Sequence, residues 1–198
     1  MPSAVGQAPA LRLGNGIFHL CCHIQLRADI QHMCGILGIT TTCNGSLSIT
    51  DEALSQLRDM MTHRGPDSAG LWRSGNIALA HRRLAILDPT PAGHQPMVSP
   101  DGRFVLVYNG ELYNEPELRE RLARDAVQLR SACDTEVVLH WLAQRWEKGI
   151  ADLRGMYALA IYDTREHKLL LARDPLGIKP LYYWQGQYQG QPQLLFAS

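Results

Sequence analysis

Residues 156–174, MYALAIYDTREHKLLLARD, carry the pattern that decides the fold. Two runs of apolar, β-favouring residues, 156–163 and 168–174, flank a short polar connection. Runs of this length and composition are typical of strands, and the polar residues between them are typical of a hairpin. The stretch therefore predicts two neighbouring antiparallel strands.

Similar runs occur along the chain from Cys34 onward. CGILGIT at 34–40 has the pattern of a short buried strand, and further β-rich runs bounded by Gly, Pro, Asp or Asn lie at 76–87, 103–110 and 180–184. Predicted strands outnumber predicted helices and do not alternate regularly with them. We therefore expect an α+β layered fold rather than a doubly wound parallel sheet.

Three helices are predicted from apolar spacing and end signals. The first has Thr50 as its N-cap with acidic residues in its first turn, and the second has Asn114 as its N-cap. The third begins with Asp134 as its N-cap and ends near Gly149. The predicted inner face of the first helix carries Leu54, Leu57 and Met61.

Composition narrows the class of protein. A chain of 198 residues with 45% hydrophobic and 19% charged residues is typical of one soluble globular domain. Nineteen basic side chains balance nineteen acidic ones, so no net field would attract nucleic acid or an anionic membrane. The apolar runs are far shorter than the roughly 20 residues that span a bilayer.

Five cysteines without C-x-x-C spacing indicate neither a disulfide framework nor a zinc site, so we expect a reducing cytoplasm and no metal.

Residues 1–33 differ from the rest of the chain. They lack the basic segment, apolar core and small-residue cleavage site of a secretory signal peptide. Regular patterning starts with MCGILG at 33–38, and a small residue after methionine permits the removal of an initiator Met33. We therefore expect an upstream extension over 1–33, whether disordered, a misplaced start or a cleaved propeptide. The domain would then cover 34–198, and Cys34 would gain a free α-amine.

Four polar clusters interrupt the apolar runs, each where a predicted strand or helix begins or ends: HRGPDSAG at 63–70, AHRRLAI at 80–86, YNGELYN at 108–114 and CDTEV at 133–137. In YNG, an asparagine amide stands beside a glycine N–H that a substrate can approach closely, which suits two donors directed at one oxyanion. Asn-Gly also commonly closes hairpins, so a turn is the alternative from this pattern alone.

Together with Cys34, these clusters resemble a known family. MCGILG, HRGPDSAG, YNGELYN, DTEVVLHWL, LRGMYALAIYD and RDPLGIKPLYY are similar, in order and spacing, to the class II glutamine amidotransferase domain at the N-terminus of glutamine-hydrolysing asparagine synthetase. The resemblance covers residues 34–198, and HRGPD is similar to the asparagine synthetase branch in particular. It implies an N-terminal nucleophile (Ntn) hydrolase, a four-layer αββα sandwich of two antiparallel sheets between helical layers.

The resemblance also implies the catalytic residues. Cys34 would be the nucleophile with its own α-amine as the base, while the Asn109 side chain and the Gly110 N–H would bind the oxyanion. An α-amine has an unperturbed pKa of about 7.7–8.0, so near neutral pH it can accept the thiol proton and return it to departing ammonia. Water would then hydrolyse the glutamyl thioester to glutamate.

Substrate-binding residues follow from the same resemblance. Arg83 would pair with the glutamine α-carboxylate through its planar guanidinium, and Asp134 would hold the α-ammonium group. As a helix N-cap, Asp134 also has a purely structural alternative. Glu111 would contact substrate through its backbone. Arg64 and Asn114 would hold the substrate-contacting residues in position without contacting the substrate themselves.

Two features depart from the family pattern. Cys133 occupies the place of a small hydroxyl residue before the aspartate, which weakens any hydrogen bond there. The sequence ends at LLFAS, where the family continues into an ATP-pyrophosphatase synthetase domain, and it has no glycine-serine-rich nucleotide loop. We therefore expect no cofactor for the glutaminase step, with ATP and Mg²⁺ needed only in the synthetase domain that is absent here.

The leading hypothesis is the glutaminase half of an asparagine synthetase, with glutamine as substrate and a synthetase domain that receives the ammonia. Neither nucleic acid nor a membrane is an expected partner, and a homodimer stays open. Two alternatives remain. One is an amidotransferase domain of another pathway, such as polysaccharide modification, and the other is a non-catalytic module in which Cys34 never becomes N-terminal.

Overall fold

The structure is a computed structural model that describes residues 11–13, 16–20, 33–41, 45–85 and 90–198. The strands within these ranges are β1 (Leu11–Leu13), β2 (Gly16–Leu20), β3 (Gly35–Thr41), β4 (Ser68–Ser74), β5 (Ile77–Arg83), β6 (Met97–Val98), β7 (Phe104–Leu112), β8 (Gly155–Asp163), β9 (Lys168–Arg173), β10 (Tyr182–Tyr188) and β11 (Gln191–Ala197). The α-helices are α1 (Asp51–Asp59), α2 (Glu115–Arg124) and α3 (Asp134–Arg145), with 3₁₀ segments at Pro91–Gly93 and Trp146–Asp152.

The strands form two sheets. The first has the order β1-β2-β9-β8-β7-β6, and the second has the order β10-β11-β3-β5-β4. Among the described strands, neighbours run antiparallel except β2 and β9, which are parallel. The hairpin predicted over 156–174 is confirmed, because Asp163 at the end of β8 pairs with Lys168 at the start of β9.

Alternating side chains of β7 divide the interior into layers. Leu106 belongs to the core that the first sheet shares with α2 and α3. Val105, on the opposite face, belongs to the core between the two sheets, together with Ile36 and Ile77 of the second sheet. Leu54 of α1 packs in a third cluster on the outer face of the second sheet. The order helix, sheet, sheet, helix confirms the expected α+β four-layer sandwich.

The first predicted helix is confirmed at its start but not along its inner face. The Thr50 hydroxyl accepts a hydrogen bond from the Ala53 N–H at 3.3 Å, as an N-cap does. Leu54 is buried, whereas Leu57 is 38% exposed and α1 ends before Met61. Only one turn of this short helix reaches the apolar cluster beneath it, so the placement of Leu57 on the inner face is wrong.

Asn114 stands before α2, but its side chain makes no capping bond. Its Nδ2 donates to the Asp152 carbonyl at 3.0 Å, and its Oδ1 accepts from the Arg154 N–H at 2.9 Å. These two bonds join the start of α2 to the segment that enters β8. The prediction of a helix cap is therefore wrong in its chemistry, because Asn114 bonds to a distant backbone instead.

The third predicted helix begins one residue earlier than expected. Cys133 occupies the N-cap position, Asp134 is the first helical residue, and the α-helix ends at Arg145 before a 3₁₀ segment. The Asp134 carboxylate accepts from the Leu112 N–H at the end of β7 at 3.0 Å. It is therefore anchored to the sheet instead of capping its own helix.

Most of the upstream stretch, including 1–10 and 21–32, lies outside the described residues. Two described strands belong to this stretch: β1 forms an edge of the first sheet, and β2 pairs with β9. The interpretation of 1–33 as an extension and of 34–198 as the domain stays a prediction. Among the described residues, no helix combines the length and apolar character needed to cross a membrane.

Candidate active site

A cavity of about 150 Å³ lies where β3 begins, β5 ends, β7 ends and α3 begins. This is far more than the roughly 10–15 Å³ that a single water molecule needs, so the cavity suits a small polar molecule. Six of the eight predicted site residues line this cavity: Cys34, Arg83, Asn109, Gly110, Glu111 and Asp134. Arg64 and Asn114 do not line it, and their predicted role in positioning the site stays a prediction.

Cys34 lines the cavity directly before β3. Its half-buried sulfur accepts a hydrogen bond from the Leu84 N–H at 3.3 Å and contacts the Leu84 carbonyl at 3.6 Å. Burial raises the pKa of the Cys34 thiol, while the Leu84 backbone bond and the charges of Arg83 and Lys179 act in the opposite direction. The thiol therefore stays protonated at neutral pH until a base removes its proton.

Asn109 and Gly110 stand together near the end of β7. Asn109 is 2% exposed, and its Nδ2 donates to the Ser198 hydroxyl at 2.8 Å, which leaves its second amide hydrogen for the cavity. A Cβ on Gly110 would lie 2.5 Å from the Met156 carbonyl oxygen and 2.7 Å from the Tyr157 Cβ. No side chain fits there, because the neighbouring protein atoms already fill that space, so only glycine can occupy this position beside Asn109.

Arg83 is held in the cavity wall at the end of β5. The buried guanidinium donates through Nη1 to the Thr90 carbonyl at 2.9 Å. A Cβ on Gly93 would lie 2.1 Å from Nη2 of Arg83, so a larger residue at this position would displace the guanidinium. The loop therefore fixes the direction of the positive charge.

Asp134 carries the opposite charge in the same cavity. The carboxylate is buried and accepts from the Leu112 N–H. Burial raises the pKa of Asp134, and the backbone bonds from Leu112 and Thr135 act in the opposite direction. A buried carboxylate of this kind gains stability when a cation enters beside it. The neighbouring Cys133 sulfur makes a long contact with its Oδ1 at 3.9 Å, as expected for a weak donor.

Glu111 and Arg64 differ in exposure. Glu111 lines the cavity and is exposed. Arg64 is buried, and its Nε and Nη2 have no hydrogen-bond partner among the described residues. Burial lowers the pKa of Arg64, and a charge on Cys34 is the first influence that opposes this. Arg64 is thus a buried cation close behind the nucleophile.

Gln95 is a site residue that the sequence did not reveal. Its buried amide accepts from the Tyr108 N–H at 2.6 Å and donates to the Tyr108 carbonyl at 3.1 Å and to the Thr135 hydroxyl at 3.3 Å. His81 also reaches that carbonyl through Nε2 at 3.2 Å, and burial lowers the pKa of His81 to about 3, so the ring is neutral. Together they fix the backbone just before Asn109.

Lys179 is a second residue that sequence reasoning missed, although it lies within the quoted motif RDPLGIKPLYY. It is buried, lines the cavity and contacts the Met33 sulfur through Nζ. Its backbone N–H donates to Asp174 at 3.0 Å. Burial lowers the pKa of Lys179, and a charge on Cys34 opposes this.

Across the described ranges, no three His, Cys, Asp or Glu side chains converge as a metal site.

Comparison with known proteins decides the family. The sequence pattern of the glutamine amidotransferase domain matches residues 33–198. The chain belongs to this family. Asparagine synthetase B [glutamine-hydrolyzing] of Escherichia coli is 39% identical to this amidotransferase domain over 166 residues, which is 84% of the chain and 29% of that protein. Asparagine synthetase [glutamine-hydrolyzing] 1 of Bacillus subtilis is 38% identical over 152 residues, 76% of the chain and 24% of that protein. The amidotransferase domain therefore spans about a quarter of the length of these relatives.

Solved structures support the fold of the amidotransferase domain. A glutamine phosphoribosylpyrophosphate amidotransferase from Bacillus subtilis, complexed with ADP and GMP, has a TM-score of 0.63 at 23% identity, covering 83% of this chain and 41% of that one. An allosteric regulatory enzyme of purine biosynthesis has a TM-score of 0.65 at 22% identity, covering 83% of this chain and 42% of that one. The expected Ntn-type sandwich and the resemblance to class II amidotransferases are both confirmed. The chain corresponds to the amidotransferase part of asparagine synthetases.

Proposed function

We propose that the domain hydrolyses the side-chain amide of glutamine, with Cys34 as an N-terminal nucleophile, and passes the ammonia to a synthetase domain that makes asparagine. The observation that carries this proposal is the composition of one cavity. One pair of features is the Cys34 thiol with the Asn109–Gly110 donors. The other is the buried Arg83 guanidinium with the buried Asp134 carboxylate. The first pair suits attack on an amide, and the second pair suits the head of an amino acid.

Recognition of glutamine rests on two complementary charges. Arg83 pairs with the substrate α-carboxylate and Asp134 pairs with its α-ammonium group, since a buried charge is stable only when it is paired. Both protein charges are held in place by backbone contacts, Arg83 at Thr90 and Asp134 at Leu112. When glutamine is held by both charged groups of its head, its side chain is long enough to place the amide at Cys34.

The chemical steps use the residues around Cys34. Removal of Met33 frees the Cys34 α-amine, which accepts the thiol proton while the sulfur attacks the amide carbon. The Asn109 Nδ2–H and the Gly110 N–H donate to the oxyanion that forms. The ammonium then returns its proton to the leaving nitrogen, the carbon–nitrogen bond breaks, and ammonia departs from a thioester. The same amine deprotonates the water that attacks the thioester carbon, the carbon–sulfur bond breaks to release glutamate, and the amine returns the proton to the departing Cys34 sulfur.

No cofactor takes part in these steps, because the α-amine supplies the base and the Asn-Gly pair supplies the electrophilic donors. ATP and Mg²⁺ belong to the synthetase step that consumes the ammonia. The cytoplasmic location follows from the cysteine pattern and stays part of this proposal. A homodimer also stays a prediction.

The proposal is tested by glutamate release from protein that starts at Cys34, with no ATP present. Glutamine should be hydrolysed slowly. Asparagine should be a poor substrate, because its side chain is one methylene shorter and leaves the amide carbon out of reach once Arg83 and Asp134 hold the head group. Cys34→Ala is the matched control for contaminating glutaminase. Equal hydrolysis of glutamine and asparagine would contradict this binding mode.

Lys179→Met should shift the reactivity of Cys34 toward higher pH. The Lys179 ammonium favours the thiolate, so its removal raises the pKa of the Cys34 thiol. Below that pKa, alkylation of Cys34 at a given pH is therefore slower in the variant than in wild type. The measurement is the rate of Cys34 alkylation against pH, followed by peptide mass. Lys168→Met, which removes a surface ammonium beside Glu166, is the control and should leave the profile unchanged. An unshifted profile in Lys179→Met would remove this residue from the site.

A further inference from the structure

Ser198 meets the proposed oxyanion donor from outside the cavity. Its hydroxyl oxygen accepts from Asn109 Nδ2 at 2.8 Å, and the two residues are 3% and 2% exposed. The Ser198 backbone N–H donates to the Ile36 carbonyl at 3.0 Å, directly after β11. The hydroxyl is thereby fixed to β3, the strand that follows the nucleophile.

The geometry points to Ser198 as a positioning residue for the Asn109 amide, an inference that rests on the proposed function. An asparagine side chain has an N–H₂ end and an oxygen end of nearly the same shape, and only the N–H₂ end can stabilise an oxyanion. The bond to Ser198 uses one of the two amide hydrogens, and because Asn109 lines the cavity the other remains available to a ligand there. A preorganised donor of this kind needs no reorientation when negative charge develops.

Ser198 also connects the two halves of the site. Asn109 lies on β7 of the first sheet, whereas Cys34 precedes β3 of the second sheet. The Asn109–Ser198–Ile36 chain of hydrogen bonds crosses between these sheets. It therefore holds the oxyanion donor at a fixed position relative to the sulfur, and loss of the hydroxyl releases the amide without changing the groups that bind the substrate head.

The test is steady-state kinetics of Ser198→Ala in protein with a free Cys34 amine. Turnover should fall by roughly tenfold, less than the loss of the donor itself, with the glutamine KM unchanged. In an Asn109→Ala background, Ser198→Ala should cause no further loss, because the group it positions is already absent. Ser198→Cys, which keeps a weak acceptor, should fall between Ser198→Ala and wild type. Ser99→Ala removes another buried hydroxyl, bonded to Asp101 and Phe104 away from the cavity, and should leave turnover unchanged.

A second readout does not depend on activity. In the full 198-residue chain, the Asn109 side-chain amide protons should exchange with solvent faster in Ser198→Ala than in wild type. Unchanged turnover and exchange in Ser198→Ala, or equal losses with and without Asn109, would overturn the inference. Wild-type protein that has a free Cys34 amine but releases no glutamate would instead overturn the proposed function, and the exchange measurement would still decide whether Ser198 holds the amide.

Discussion

A chain that keeps residues 1–33 is expected to hydrolyse no measurable glutamine, while the same protein starting at Cys34 hydrolyses it. With Met33 attached, the Cys34 nitrogen is a peptide amide and cannot accept a proton near neutral pH. Burial raises the pKa of the Cys34 thiol, so without a base the sulfur stays protonated at pH 7. Met33 also lines the cavity and contacts Lys179, so it occupies space beside the nucleophile.

Three proteins make this comparison. They are the full chain, a chain starting at Met33 in a host that removes initiator methionine, and the latter with Cys34→Ala. N-terminal sequencing and intact mass establish which of them begin with Cys34. Glutamate release is expected from the second alone. A full chain with an intact N-terminus that released glutamate through Cys34 would refute the α-amine as the base.

Asn109→Ala is expected to lower turnover by roughly 100-fold or more, which corresponds to about 2.7 kcal/mol of lost transition-state stabilisation. The amide is buried and already directed by Ser198, so its hydrogen bond to the oxyanion costs no reorganisation. The oxyanion exists only after attack, so substrate binding should be largely retained.

The measurement for Asn109→Ala is kcat and KM for glutamine at constant pH. Asn76→Ala is a matched control, because the Asn76 side chain donates to the Thr41 carbonyl at 2.9 Å outside the cavity. It should leave kcat and KM near the wild-type values. If Asn109→Ala raised KM and left kcat intact, Asn109 would bind substrate and would not stabilise the oxyanion.

The strands that the sequence revealed are those with apolar side chains on both faces. β7, β8 and β9 contribute to the cores on either side of the first sheet, so their runs are nearly continuous and easy to recognise. β4 was missed because SAGLWRS is mostly half-buried and mixes small, polar and aromatic residues. β11 was missed because QPQLLFA begins with polar residues and a proline, and its burial depends on pairing with β3.

The site was predictable where residue type and local motif carry the chemistry. Cys34, Arg83, Asn109 and Asp134 belong to short motifs, and the structure brings all four to one cavity. Gln95 and Ser198 act through partners remote in sequence, and Ser198 lies 89 positions from the amide that it contacts. Spacing along the chain cannot reveal such a pair.

The Asn114 and Asp134 side chains show a related limit. Each stands at the start of a helix, and a local pattern can only predict a cap there. In the structure each bonds to the backbone of another segment, Asn114 at Asp152 and Arg154 and Asp134 at Leu112. Only the packing of the layers decides between a local and a distant partner of equal chemistry.

The most direct test of the whole account is to trap the covalent intermediate. Protein with a free Cys34 amine is quenched with acid during glutamine turnover, and its peptides are examined by mass spectrometry for a γ-glutamyl thioester. The account predicts the adduct on the Cys34 peptide, none on the Cys133 peptide, and neither adduct nor glutamate release in Cys34→Ala. Glutamate release that persisted in Cys34→Ala, or an adduct on Cys133 in place of Cys34, would contradict it.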